Sequence, residues 1–183
     1  EWVDFSTNID NESIAKYYAS YPAIRDAKAA LRWIIANKNS YKLNDQFITV
    51  GGGSAGAAIS IGVSVSNLND FKSEINLEDD FTLASTNLDQ DYEIKTILDF
   101  WGSSTLTKAH ELVYGLNHFD LSDPPIFITH GTNDTTVPFS EAVELRDIFT
   151  QNQVPYIFYE LEGAGHGPWN FLYEDNRLEE LAL

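Results

Sequence analysis

Apolar positions along this chain fall into two kinds of run. Short continuous ones at 47–50, 94–101, 126–129 and 156–161 have the length and the β-branched or aromatic content of buried strands. Elsewhere apolar residues recur every three or four positions, the signature of one helix face. Ile24, Ala27, Leu31, Ile34 and Ile35 mark a helix opening at Pro22 and ending near 37–39. The same spacing predicts helices over 55–65, about 105–114 and about 140–151, where Ala142, Leu145, Ile148 and Phe149 share a face, and a last one over about 169–181. Residues 1–21 read as a polar, irregular N-terminal segment. Residues 69–92, with Asp70, Glu74, Glu78, Asp79, Asp80, Asp89 and Asp91, have no period and read as an acidic surface excursion. Strands alternating with helices predict an α/β fold, a mostly parallel sheet flanked by helices, in a single domain over 1–183.

Composition narrows what such a fold does. A chain of 183 residues buries roughly 70% of its unfolded surface, enough for a real core. No apolar run approaches the 18 or more residues of a membrane span, and the N-terminus lacks the layout of a signal peptide. A formal charge of -17 argues against nucleic acid, which needs a basic face, and points to a self-repelling surface. Without cysteine there is no disulfide, thiol catalysis or thiolate metal site, which leaves the compartment, secreted or cytoplasmic, open. Methionine is also absent. A chain lacking even an initiator is expected to be a processed product, a fragment or part of a longer sequence.

The chemistry gathers after the strands. Gly52-Gly53-Ser54-Ala55-Gly56 joins the strand at 47–50 to the helix at 55–65. A G-x-S-x-G turn there imposes backbone angles that small neighbours permit and lifts the serine hydroxyl off the sheet. Ser54 is the candidate nucleophile. A serine hydroxyl needs a base, and the base needs an orienting acid. In open α/β sheets such groups sit at the carboxyl ends of strands. The loop after 126–129 holds Asp134, and the loop after 156–161 holds His166 between glycines. The order Ser54, Asp134, His166 is that of the α/β-hydrolase triad. His130 competes as base, but its place at a strand end suits a structural hydrogen bond. Asp123 competes as acid, but it precedes its strand and belongs to the opposite end of the sheet. No His/Asp/Glu cluster has ligand spacing and no glycine-rich phosphate cradle occurs, so neither metal nor other cofactor is expected. The glycosylation triplets at Asn11 and Asn133 read as chance, the second lying in the acid loop.

These motifs resemble the α/β-hydrolase superfamily, within it the serine carboxylesterase and lipase branch, over about 23–169. Asp26, Ala29 and Trp33 before the serine turn look like that branch. His130-Gly131-Thr132-x-Asp134-x-x-Val137-Pro138 looks like the acid loop it shares with prolyl-oligopeptidase-like peptidases and dienelactone hydrolases. The resemblance implies a carboxylic-ester hydrolase for small or medium acyl esters, acetyl or feruloyl esters of plant polysaccharides among them, with Trp101 and Trp169 lining an apolar pocket. It also implies an oxyanion hole formed by the Ala55 N–H and a second N–H from an upstream loop, which this chain lacks. Gly51-Gly52-Gly53 cannot supply it, being part of the turn. About four strands precede the first helix in that superfamily, so an upstream segment or a second chain is expected to complete sheet and hole. A peptidase and a non-catalytic binding module on a hydrolase frame are the alternatives.

Overall fold

The computed structural model describes residues 10–72, 78, 81–82 and 86–182. Helix α1 (Asn11–Ala36) leads through a short α2 (Lys38–Tyr41) into β1 (Ile48–Gly53) and α3 (Ala55–Val65). β2 (Ile94–Phe100), α4 (Thr105–Tyr114), β3 (Ile126–Gly131), α5 (Phe139–Gln151) and β4 (Tyr156–Leu161) follow, and the chain closes with β5 (Leu172–Tyr173), β6 (Asn176–Arg177) and α6 (Leu178–Leu181). The four long strands form one parallel sheet in the order β1-β2-β3-β4.

Alternation along β3 divides the core. Ile126 and Ile128 join Ile97 of β2, Ile61 and Val65 of α3, and Ala142, Leu145 and Phe149 of α5. Phe127 faces the other way, into a cluster with Phe100, Trp101, Leu161 and Leu178. Every residue of β3 is buried, as expected of an inner parallel strand. β1 is an outer strand with a half-buried, half-exposed pattern, and no strand among the described residues pairs with its free edge. A groove of about 300 Å³ runs beside it, lined by Ala27, Leu31, Val50 and Ile59 among others.

Two expectations need correction. The segment before Pro22 is helical from Asn11: Asp10 caps it, accepting from the Ser13 N–H at 2.9 Å. Pro22 lies inside α1 on its exposed side, where the carbonyl it leaves unbonded can meet water. The buried stripe is Tyr17, Ser20, Ile24, Lys28, Arg32 and Ile35, regular in spacing but interrupted by two cations. Residues 1–9 of the expected irregular segment lie outside the described residues.

The excursion at 69–92 is tied down where it is described. Lys28 Nζ donates to Ser66 Oγ (2.9 Å) and Asn67 O (2.6 Å), Arg32 Nε to Thr86 O (2.9 Å), and Phe71 is buried. Glu74, Asp79 and Asp80 lie outside the described residues. The helix expected over 169–181 is instead a small antiparallel hairpin with a one-turn helix behind it. Glu174 and Asp175 both hold positive φ (48° and 66°), the signature of a type I′ turn.

Candidate active site

Ser54 occupies the junction of β1 and α3 with φ 56° and ψ -122°, a conformation L-residues rarely adopt. Two features hold it there. Its N–H donates to the Phe100 carbonyl of β2 at 2.9 Å, and its own carbonyl accepts from the Ala58 N–H at 3.1 Å. The turn also requires a bare backbone at Gly52, where a Cβ would meet the Gly56 carbonyl carbon at 2.7 Å. Gly56 faces open space, so only the first glycine of the motif is enforced by contact.

His166 Nε2 lies 2.9 Å from Ser54 Oγ, and His166 Nδ1 lies 2.7 Å from Asp134 Oδ2. The sequence-predicted trio is thus brought together from the ends of β1, β3 and β4. The other Asp134 oxygen accepts the backbone N–H groups of Thr136 (2.8 Å) and Val137 (2.9 Å). Burial pushes this carboxyl upward, but the bonds from His166, Val137 and Thr136 outweigh it and leave it below the ordinary carboxylate value. It is therefore an anion at neutral pH, suited to orient an imidazole whose Nδ1 carries the proton and whose Nε2 is free to accept one.

The acid and base loops form one unit. Thr132 N–H donates to Leu161 O, Asn133 N–H to Ala164 O, and Gly163 N–H to Thr132 Oγ1. Gly131 makes this approach feasible, since a Cβ there would sit 2.3 Å from Ala164 O. His130 lies within β3, fully buried, its Nε2 2.8 Å from Val137 O and 3.3 Å from Asp134 Oδ2. Burial depresses its basicity, so the ring is neutral and braces the acid loop from below. Asp123 precedes β3, at the opposite end of the sheet from Ser54.

Trp101 and Trp169 meet edge to face, ring centroids 4.5 Å apart, and both rings stand over Gly53, where a Cβ would touch each at 3.2 Å. Trp101 is buried and Trp169 half exposed, so together they form a wall beside the serine. Ala55 begins α3, and its N–H is among those a helix leaves without an internal partner. Among the described residues no group of three His, Asp or Glu side chains could hold a metal ion, and no helix is long and apolar enough to cross a membrane. One polar residue at this end went unnoticed in the sequence: Asp99, buried near the end of β2 inside an apolar run.

Comparison with known proteins agrees with this architecture. The chain is 23% identical over 171 residues to the probable carboxylic ester hydrolase LipM of Mycobacterium tuberculosis, a match covering 78% of this chain and 37% of that protein. It therefore spans little more than a third of this curated relative. Among solved structures it resembles a truncated carbohydrate esterase from gut microbiota (TM-score 0.65, 24% identity, 87% of this chain and 67% of that one). It also resembles esterase 2 of Thermogutta terrifontis in its apo form (TM-score 0.58, 24% identity, 86% of this chain and 60% of that one). The BD-FAE family profile matches residues 7–115, more than half of the sequence and the part that carries the serine turn; the chain belongs to the BD-FAE family of α/β-hydrolases.

Proposed function

We propose that this chain carries the catalytic centre of a serine carboxylic-ester hydrolase acting on small or medium acyl esters, as one domain without a cofactor. The observation that carries the reading is the hydrogen-bonded chain from Ser54 Oγ through the two nitrogens of His166 to Asp134. Ser54 attacks the ester carbonyl while His166 Nε2 takes its proton. His166 then gives that proton to the departing alkoxide, leaving an acyl-serine. Water, deprotonated by the same nitrogen, releases the acid. Asp134 keeps the imidazole in its productive tautomer and stabilises the imidazolium between steps. The Ala55 N–H is one donor to the developing oxyanion, and Trp101 with Trp169 forms an apolar side of the acyl or leaving-group site.

A second oxyanion donor belongs to this reading. It comes from a strand and loop pairing with the free edge of β1, supplied by the same polypeptide or by another chain. Without it the expected cost is about 2.7 to 4 kcal/mol, or roughly 10² to 10³ in rate. Within the ester class, acetyl or feruloyl groups on carbohydrate are favoured, in keeping with the carbohydrate esterase the fold resembles.

The test is hydrolysis of p-nitrophenyl acetate, butyrate and octanoate, with Ser54→Ala as control. Loss of about 10⁶-fold in kcat on that substitution is expected. Turnover that survives it would overturn the assignment. Cleavage of peptide but not ester substrates would move the reading to a peptidase. A folded protein that neither turns over nor reacts at Ser54 with a fluorophosphonate would be a binding module.

A further inference from the structure

Asp99 is fully buried near the carboxyl end of β2 and has no part in the triad. Its Oδ1 accepts the Gly102 N–H at 2.7 Å, and its Oδ2 has no hydrogen-bond partner. In the sheet its neighbours are Gly52 on β1 and Ile128 on β3. The loop that follows is pressed onto the first turn of α3: a Cβ at Gly102 would lie 2.5 Å from both the Ala57 Cβ and Asp99 Oδ1.

Three hydrogen bonds brace two successive peptide units here, Phe100–Trp101 on both its sides and Trp101–Gly102 through its N–H. The Phe100 carbonyl accepts from the Ser54 N–H at 2.9 Å, the Trp101 N–H donates to Thr129 O at 2.7 Å, and the Gly102 N–H donates to Asp99. Between them Trp101 holds φ 49°, a conformation costly for a bulky side chain and retained only where its surroundings enforce it. That turn aims the indole at Gly53 and Trp169.

We propose that Asp99 is the positioning residue of the nucleophile turn: its buried carboxyl fixes Gly102, and through the Phe100–Trp101 backbone it sets both the Ser54 N–H and the tryptophan wall beside the serine. The inference rests on the esterase reading for its reactivity readout alone.

The carboxyl does this as a neutral acid. Burial pushes it up to about 7, against the smaller downward pull of the Gly102 N–H. Gly52, Ile128 and Ala57, which face it from β1, β3 and α3, carry no titratable group. On the same face of β3, two residues beyond Ile128, the ionisable side chain is His130, which burial keeps neutral. Ionisation above neutrality therefore puts a charge beneath Ser54 with no cation to meet it. The folded chain holds a proton that the unfolded chain has released between the ordinary carboxylate value of 3.8 and about 7, so stability falls as pH rises through that window.

The full chain carrying Asp99→Asn or Asp99→Leu tests this. Asn keeps an acceptor for Gly102 but cannot ionise, and Leu keeps neither. Two readouts are followed from pH 5 to 9: tryptophan emission, and the rate at which a fluorophosphonate labels Ser54. Native emission is expected to shift between pH 6 and 8 and that of Asp99→Asn to stay level. Above pH 8 the Asn variant should label severalfold faster than the native chain. At pH 6 Asp99→Leu should label about tenfold slower while Asp99→Asn stays within about twofold, the difference one lost buried hydrogen bond makes. Superimposable emission titrations for the native chain and Asp99→Asn would overturn the proposal, as would Asp99→Leu labelling at the native rate. If Ser54 is unreactive in every form, the esterase reading has failed instead, and the emission titration, which needs no reactivity, still decides the role of Asp99.

Discussion

His130 and His166 share one carboxylate oxygen at the carboxyl end of the sheet, whereas His110 and His118 hydrogen-bond to each other in a distant aromatic nest. In the remote pair, His110 Nδ1 and His118 Nε2 are 2.7 Å apart, the rings stack, and Tyr17, Tyr21, Phe71 and Tyr114 surround them. Burial, then the neighbouring His118, pushes His110 down to about 4. Such a ring is a neutral packing group with one hydrogen bond. His166 has the opposite setting: an anionic carboxylate on one nitrogen, a serine hydroxyl on the other, and a partly exposed ring. The difference lies in what each nitrogen faces, and it separates a ring held between a carboxylate and a hydroxyl from a packing group made of the same side chain.

The hardest blow to the contrast is removal of the carboxylate. Asp134→Asn is expected to lower kcat on p-nitrophenyl esters about 10⁴-fold by favouring the wrong imidazole tautomer, with a far smaller change in the melting curve. A loss below tenfold would place the two pairs in one class.

Acid should break the remote pair instead. His110 has a folded value near 4 against an ordinary 6.5, so the unfolded chain binds more protons between those limits and stability falls as pH drops through them. The full effect is at most about 3 kcal/mol, read as a lower urea midpoint at pH 4 than at pH 7. His110→Phe should flatten that limb and leave turnover within about twofold of the native chain. Asp134 adds to the acid loss only below its ordinary value of 3.8, where the folded carboxylate must take up a proton.

The smallest effect sharpens the comparison within the site. His130→Phe removes the bond to Val137 O and the 3.3 Å approach to Asp134, and should cost about tenfold in kcat, the equivalent of one net buried hydrogen bond. An unchanged pH–rate profile for this variant would show that His130 braces the loop without tuning the base.

Much of this arrangement was legible because its grammar is local. α3, α4 and β4 have the bounds their apolar patterns predict, and Ser54, Asp134 and His166 each lie in the turn or loop after an apolar strand, which is why the sequence order alone singles out the three residues the structure brings together. The failures share a physical cause. Lys28 and Arg32 occupy core positions of α1 because carbonyl oxygens from a distant segment meet them, which no apolar periodicity records. The hairpin at 172–177 turns on Glu174 and Asp175, residues without the glycine that usually announces a type I′ turn. Asp99 was hidden for a related reason: a neutral carboxylic acid can pass for an apolar neighbour inside a strand, and only its burial gives it away.

The anchoring of the acidic excursion has a consequence for behaviour in electrolyte. In a chain of charge -17, the buried Lys28 and Arg32 are met by peptide carbonyls and a hydroxyl, and among the described residues neither belongs to an ion pair. Dissolved ions screen exposed charges over about 10 Å at 0.1 M and act far less on sheltered dipoles. Raising the ionic strength therefore quiets the repulsion across the acidic exterior while the attachment beneath it holds, and this fold is built to gain rather than lose cohesion in brine.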